Sequence, residues 1–155
     1  MEKIKLVIYH PIFVCHYTKI AELESERIFC RHDIQHALDV SRIAWIKVLN
    51  GRLTYSKEVI YAIGLLHDIG RALQYMNGVP HAISGADISR KILCDCGFSD
   101  KDINLICEKI LNHQVNSSDQ LGKIIFQADK ESRLCWCCKA RSECKWTQFN
   151  DLLLN

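Results

Sequence analysis

The sequence predicts an all-α domain: a compact bundle of about six helices, closed by a Cys-rich C-terminal tail. Three observations predict it. Apolar residues recur at helical spacing through most of the chain. Helix-starting residues, Ser56, Ser84, Ser99 and Ser117, stand ahead of such stretches. Few segments alternate with the period of two that a half-buried strand needs. A chain of 155 residues, 48% hydrophobic, has the size of one domain and can bury a real core.

The elements follow in order. Residues 12–26 form an expected first helix that packs on the domain. The stretch 33–49 carries Ile34, Ala37, Leu38, Trp45 and Val48 at helical spacing and stops at Asn50-Gly51. His36 lies beside that stripe, with Val40 and Ile43 on its own row. Ser56 caps a helix to about residue 69, with Gly70 as terminator unless the polar segment 71–75 continues it. Asn77-Gly78-Val79-Pro80 reads as a loop, because Asn-Gly favours turns and Pro80 biases Val79 away from helix. Ser84-Gly85-Ala86-Asp87 is a capping-box-like start for a helix to about residue 94. Ser99 starts another, ending near His113, and residues 117–120 start the last, running to about 133. Residues 1–134 thus form the expected helical domain, and residues 135–155 a tail packed on it.

Four histidines and two aspartates lie along this scaffold in the order His36, His67-Asp68, His81, His113, Asp129. His67-Asp68 follows the apolar run 59–66, an odd place for two polar side chains. Burying them unpartnered would cost about 2–7 kcal/mol per neutral group and more for a charge. A metal ion removes that cost, since imidazole and carboxylate are both first-row metal ligands. His32 competes with His36, being one helical turn away.

This ordered set resembles the HD-domain superfamily of metal-dependent phosphohydrolases. That family carries one upstream His, a tandem His-Asp at a helix end and a distant downstream Asp; His36, His67-Asp68 and Asp129 match these. Two-metal members add two histidines between, where His81 and His113 fall. His36 suits the motif better than His32, because apolar Leu38 and Val40 follow it at +2 and +4. The resemblance spans roughly residues 30–133. It implies His36, His67, Asp68 and Asp129 on one ion and His81, His113 and Asp68 on the other, with Asp68 as the bridge. Adjacent helical residues diverge by about 100°, so His67 and Asp68 meet one site only at a helix end that points into it, or where two metals are held.

The implied activity is cleavage of a phosphate ester or anhydride, of a nucleotide or other small phosphorylated molecule, by a metal-bound hydroxide. Asp68, Arg71 and Lys130 are the candidate catalytic residues, with Arg71, Lys130 or Arg133 meeting a phosphate oxygen; the alternative for Lys130 and Arg133 is solvated helix surface. His32 would be a substrate contact or support a ligand. Four histidines and two carboxylates suit iron, manganese, cobalt, nickel or zinc better than magnesium or calcium. Two other classes stay open: a non-catalytic metal or nucleotide sensor of the same fold, and a small zinc-dependent interaction module.

The tail carries that third reading. Cys135-x2-Cys138-x5-Cys144 offers three thiolates to zinc or an iron–sulfur cluster, with Cys137 or Cys30 as the fourth. The alternative is a reduced, partly buried tail that packs Trp136 and Trp146 on the domain. Cys94 and Cys96 read as helix-end packing, Cys15 and Cys107 as buried cysteines. A net charge of +2 gives no argument for nucleic acid or membrane, and Glu143 interrupts the basic residues Lys139, Arg141 and Lys145. No apolar run approaches the ~20 residues that span a bilayer. The start lacks a long apolar region and cleavage site. Nine cysteines without an export signal fit a reducing cytoplasm.

Overall fold

Helix starts are set by side chains that accept the unpaired N–H groups of the first turn. In the computed structural model, which describes residues 1–116 and 118–144, four Asp or Ser side chains do this. Asp33 accepts from His36 N and opens α3 (Ile34–Asn50); Ser56 accepts from Val59 N and opens α4 (Lys57–Leu66). Ser99 accepts from Asp102 N and opens α7 (Asp100–Asn112); Asp119 accepts from Gly122 N and opens α8 (Gln120–Glu131). Ser117, an expected start residue, lies outside the described residues.

The expected first helix is α2 (Pro11–Leu23), preceded by an unforeseen α1 (Glu2–Tyr9). His10 separates them with extended backbone (φ −65, ψ 131), and Pro11 fills the first position of α2, where its missing N–H costs nothing. Leu23 ends α2, and Glu24 beyond it turns into the core at 2% exposure. The helix expected from Ser56 to about residue 69 is α4, which ends at Leu66; the polar segment 71–75 does not continue it but belongs to a separate helix, α5 (Arg71–Asn77), and α6 (His81–Asp95) begins three residues before Ser84. The bundle therefore has more than six helices, and among the described residues it contains no strand.

α4 is the central element. Val59, Ile60, Ala62, Ile63, Leu65 and Leu66 are all buried, each worth on the order of 1.5–3 kcal/mol for the larger side chains. α3 and α7 flank it, α8 lies on α3, α6 on α7, and α1 on α4. Gly64 lets α3 approach: a Cβ there would lie 2.7 Å from the Cα of Ser41. α4 ends inside the protein, where its last carbonyls need donors. The Tyr17 hydroxyl donates to Leu65 O at 2.7 Å, His67 Nδ1 to Gly64 O at 2.7 Å and Ile69 N to Leu66 O at 3.1 Å. The chain then turns through 67–70 against α6. A Cβ on Gly70 would lie 2.2 Å from His81 O, so only glycine fits.

Two of the expected cysteine placements change. Cys15 is exposed, because the buried row of α2 is Phe13, Tyr17 and Ile20; Cys94 is exposed while Cys96 and Cys107 are buried. Trp136 is 63% exposed, so it does not pack on the domain as the reduced-tail alternative required. Trp146 and Lys145 lie outside the described residues. No helix among the described residues is long and apolar enough to cross a membrane.

Candidate metal centre

The buried end of α4 aims His67 and Asp68 into the middle of the bundle, and four other elements send side chains to meet them. His36 comes from the first turn of α3, His81 from the first residue of α6, His113 from the C-cap of α7 and Asp129 from the last turn of α8. All six are at most 8% exposed.

Asp68 divides them. Its Oδ2 lies 3.2 Å from His67 Nε2 and 3.7 Å from His36 Nε2, and the latter is 3.4 Å from Asp129 Oδ1. Its Oδ1 lies 3.3 Å from His81 Nε2 and 3.7 Å from His113 Nε2. Two ligand-like triads result, His36/His67/Asp129 and Asp68/His81/His113.

Each ring is held from behind. Nδ1–H of His67 donates to Gly64 O (2.7 Å), of His113 to Ile110 O (2.6 Å) and of His81 to Gln74 Oε1 (2.7 Å). His36 Nδ1 lies 3.1 Å from Ser132 Oγ, whose own proton goes to Asp129 O, so the hydroxyl accepts. With Nδ1 held from behind, each ring turns its Nε2 inward, the arrangement that orients metal-binding histidines. Nε2 of His36 and His67 are buried without a hydrogen-bond partner. Orphaned buried nitrogens facing carboxylates fit a cation between them.

The charges agree. Burial opposes ionisation of Asp68, but His67, His113 and His36 outweigh it and hold its carboxyl well below the usual range. Asp129 behaves alike, against burial, through His36, Arg133, His67 and Lys130. Burial would lower His36, yet Asp129 and Asp68 raise it to about 9. Burial, with Arg71 adding to it, pushes His81 down to about 3, leaving a neutral donor.

Arg71 Nε donates to Asp68 Oδ1 at 2.9 Å, Lys130 Nζ to Asp129 Oδ2 at 2.6 Å and Arg133 Nη2 to Asp129 Oδ1 at 2.9 Å. Lys130 and Arg133 are thus not solvated surface; Lys130 is 6% exposed. His32 also reaches the centre, with Nε2 4.0 Å from Asp68 Oδ2, while Glu24 Oε1 holds its Nδ1 at 2.6 Å and accepts from the Tyr75 hydroxyl.

A cavity of about 460 Å³ opens beside the cluster, bordered by His32, His113 and Asp129, by the cations Arg27, Arg71, Lys130 and Arg133, and by Phe29. Of the part of this wall from the 24–32 loop, His32 was expected as a substrate contact or ligand support, but Arg27 and Phe29 were missed in the sequence. Their signal is Arg27-Ile28-Phe29-Cys30-Arg31-His32, a dense set of cations and rings just before a helix cap.

Residues 33–134 match the HD domain family model, a span that holds His36, His67-Asp68, His81, His113 and Asp129. The chain belongs to the HD domain family. An uncharacterized protein of Clostridium beijerinckii is 38% identical over 146 residues, covering 94% of this HD chain and 93% of that protein. Ribonuclease Y of Nitratidesulfovibrio vulgaris is 33% identical over 72 residues, which are 46% of this chain but 14% of the ribonuclease. The crystal structure of a predicted HD superfamily hydrolase from an uncultured Thermotogales bacterium superposes with a TM-score of 0.62 at 26% identity, covering 79% of this chain and 67% of that one.

Proposed function

We propose that this HD domain is a metal-dependent phosphohydrolase that cleaves a phosphate ester or anhydride in a small phosphorylated molecule, nucleotides included. The observation that carries the reading is the cation-bordered cavity opening onto the two triads. His36, His67, Asp68 and Asp129 hold one divalent transition metal ion, and His81, His113 and Asp68 hold a second. When bound, two such ions activate water as a nucleophile and neutralise charge on the phosphoryl oxygens.

The chain supplies the rest. Arg71 and Lys130 now face carboxylates; with those carboxylates committed to cations, both side chains stabilise phosphate oxygens as charge develops there. His32, fixed by Glu24, presents Nε2 toward the same space. The cavity lies within the ~300–1,000 Å³ of small-ligand sites, and Phe29 gives it an apolar face. The 72 residues shared with ribonuclease Y support chemistry at a phosphate ester, while a cavity of about 460 Å³ matches the size of a small-molecule site.

The test is a panel of phosphomonoesters, nucleotides and dinucleotides, followed by single-turnover hydrolysis of the best substrate in oxygen-18 water. One label in the phosphoryl product is expected, together with loss of turnover in Asp68→Ala. Label in the leaving alcohol instead would mean attack at carbon, and phosphate trapped covalently on acid-quenched protein would mean a phosphoenzyme. Tight binding without turnover across the panel would favour a sensor.

A further inference from the structure

The tail is organised around its thiols and not around a core. Leu134 and Trp136 are each 63% exposed, and of residues 135–144 only Ala140 is buried. Its backbone forms two short 3-10 turns, Cys135–Cys137 and Arg141–Glu143. Apolar burial therefore does little to hold this segment against the domain.

The cysteines sort into two kinds. Cys137 is exposed and donates its thiol to Leu134 O. Cys30, Cys135, Cys138 and Cys144 are half-buried. Cys135 and Cys138 bracket the first turn, closed by Cys138 N donating to Cys135 O at 3.3 Å; Cys144 follows the second, with its N donating to Arg141 O at 3.2 Å. Cys30 joins them from the loop between α2 and α3, where Arg27 Nε donates to its carbonyl at 2.9 Å. Cys30 and Cys144 border the same cavity. Burial pushes the Cys135 thiol up, and the neighbouring thiols of Cys30, Cys144 and Cys138 add to it. Four thiols from two distant segments thus share one neighbourhood, close enough for their charges to interact, with Cys30 and Cys144 on one cavity wall.

We propose that Cys30, Cys135, Cys138 and Cys144 bind a tetrathiolate metal centre, one zinc ion or one iron–sulfur cluster. A Cys-x2-Cys turn with two further thiolates supplies the four sulfur ligands that either group takes. Arg133, close enough to Cys30 for their charges to interact, offsets part of the thiolate charge. The centre ties the tail to the 24–33 loop and so fixes one wall of the substrate cavity, where Cys30 stands with Arg27 and Phe29, and Cys144 with Glu143. It is separate from the His/Asp cluster and does not depend on the hydrolase reading.

The full chain, purified without oxygen, is analysed for zinc, iron and acid-labile sulfide. The double variant Cys135→Ser/Cys138→Ser should lose one zinc per chain, or iron and sulfide together, while Cys137→Ser loses none. The loss should add to that caused by Asp68→Ala, which separates the two centres. Equal metal content in wild type and the double variant overturns the proposal. Should the double variant fail to fold, the wild type decides: titrating its native thiols with a mercurial should release metal in step with thiol modification. Release of none, or a Cys30-to-tail disulfide in the intact protein, overturns the proposal.

Discussion

Asp68 presents its two carboxylate oxygens to different histidines, Oδ2 to His67 and His36, Oδ1 to His81 and His113. What holds those histidines is as specific as the ligand set. Gln74 Oε1 fixes His81 through Nδ1, and loss of such a partner costs about 10–100-fold in metal affinity. Gln74→Ala should therefore weaken one metal equivalent by about that factor in a competition titration and leave the other unchanged. Arg71 makes the opposite prediction. If it serves the phosphate, Arg71→Ala should keep its metal and lose turnover by roughly 10²–10³-fold; metal loss with unchanged turnover of the loaded protein would show that Arg71 only supports Asp68. The six residues of the cluster were legible as residues because their order and neighbours match a known pattern. Their supports were not: Gln74, Ser132 and Glu24 are ordinary surface-type residues in sequence, and only packing brings them behind the rings.

The turn between α4 and α5 converts a helix end into a site. Its register depends on Gly70, where a Cβ would lie 2.2 Å from His81 O and 2.6 Å from Gly85 N. Gly70→Ala must push α6 away, at a cost on the order of 1–3 kcal/mol, which at this size lowers Tm by roughly 3–10 °C. Because His81 rides on α6, thermal scans with and without added metal should show a smaller metal-induced stabilisation than in wild type. A Gly70→Ala protein with unchanged Tm and metal response would contradict this role. Helices with a clear apolar stripe and a Ser or Asp cap, α3, α7 and the start of α4, were readable from sequence. α1 was not, because it is short and rests on Ile4 and Val7 meeting the rest of the fold. The early start of α6 was hidden because Pro80 serves as its N-cap and Ser84 lies within the helix.

The whole molecule buries ionisable groups around the His/Asp cluster, so its pH response follows from them. Burial and Arg71 hold His81 at about 3, below its ordinary 6.5; between those values the unfolded chain binds the extra proton, so stability is lost as pH falls from 6.5 towards 3. Against burial, Asp68 and Asp129 are held well below the usual carboxylate range, and His32 and Tyr75 hold Glu24 at about 2. Their contributions are complete above the ordinary carboxylate values and are lost as pH falls through the depressed ones. His36, raised to about 9, works the other way: its contribution is complete below 6.5 and is lost as pH rises through 9. The metal-stripped protein should therefore be most stable near pH ~7, which urea midpoints across a pH series in chelator would report. A maximum below pH ~5 would contradict the charge assignments.

The central claim is that one carboxylate serves two ions. Metal content per chain, compared among wild type, His113→Ala and Asp68→Ala, tests it directly. Differences from wild type count only this centre, whatever else the chain binds. His113→Ala should lose one equivalent and Asp68→Ala two. Equal loss in both variants would mean a single ion and would contradict the bridging role of Asp68.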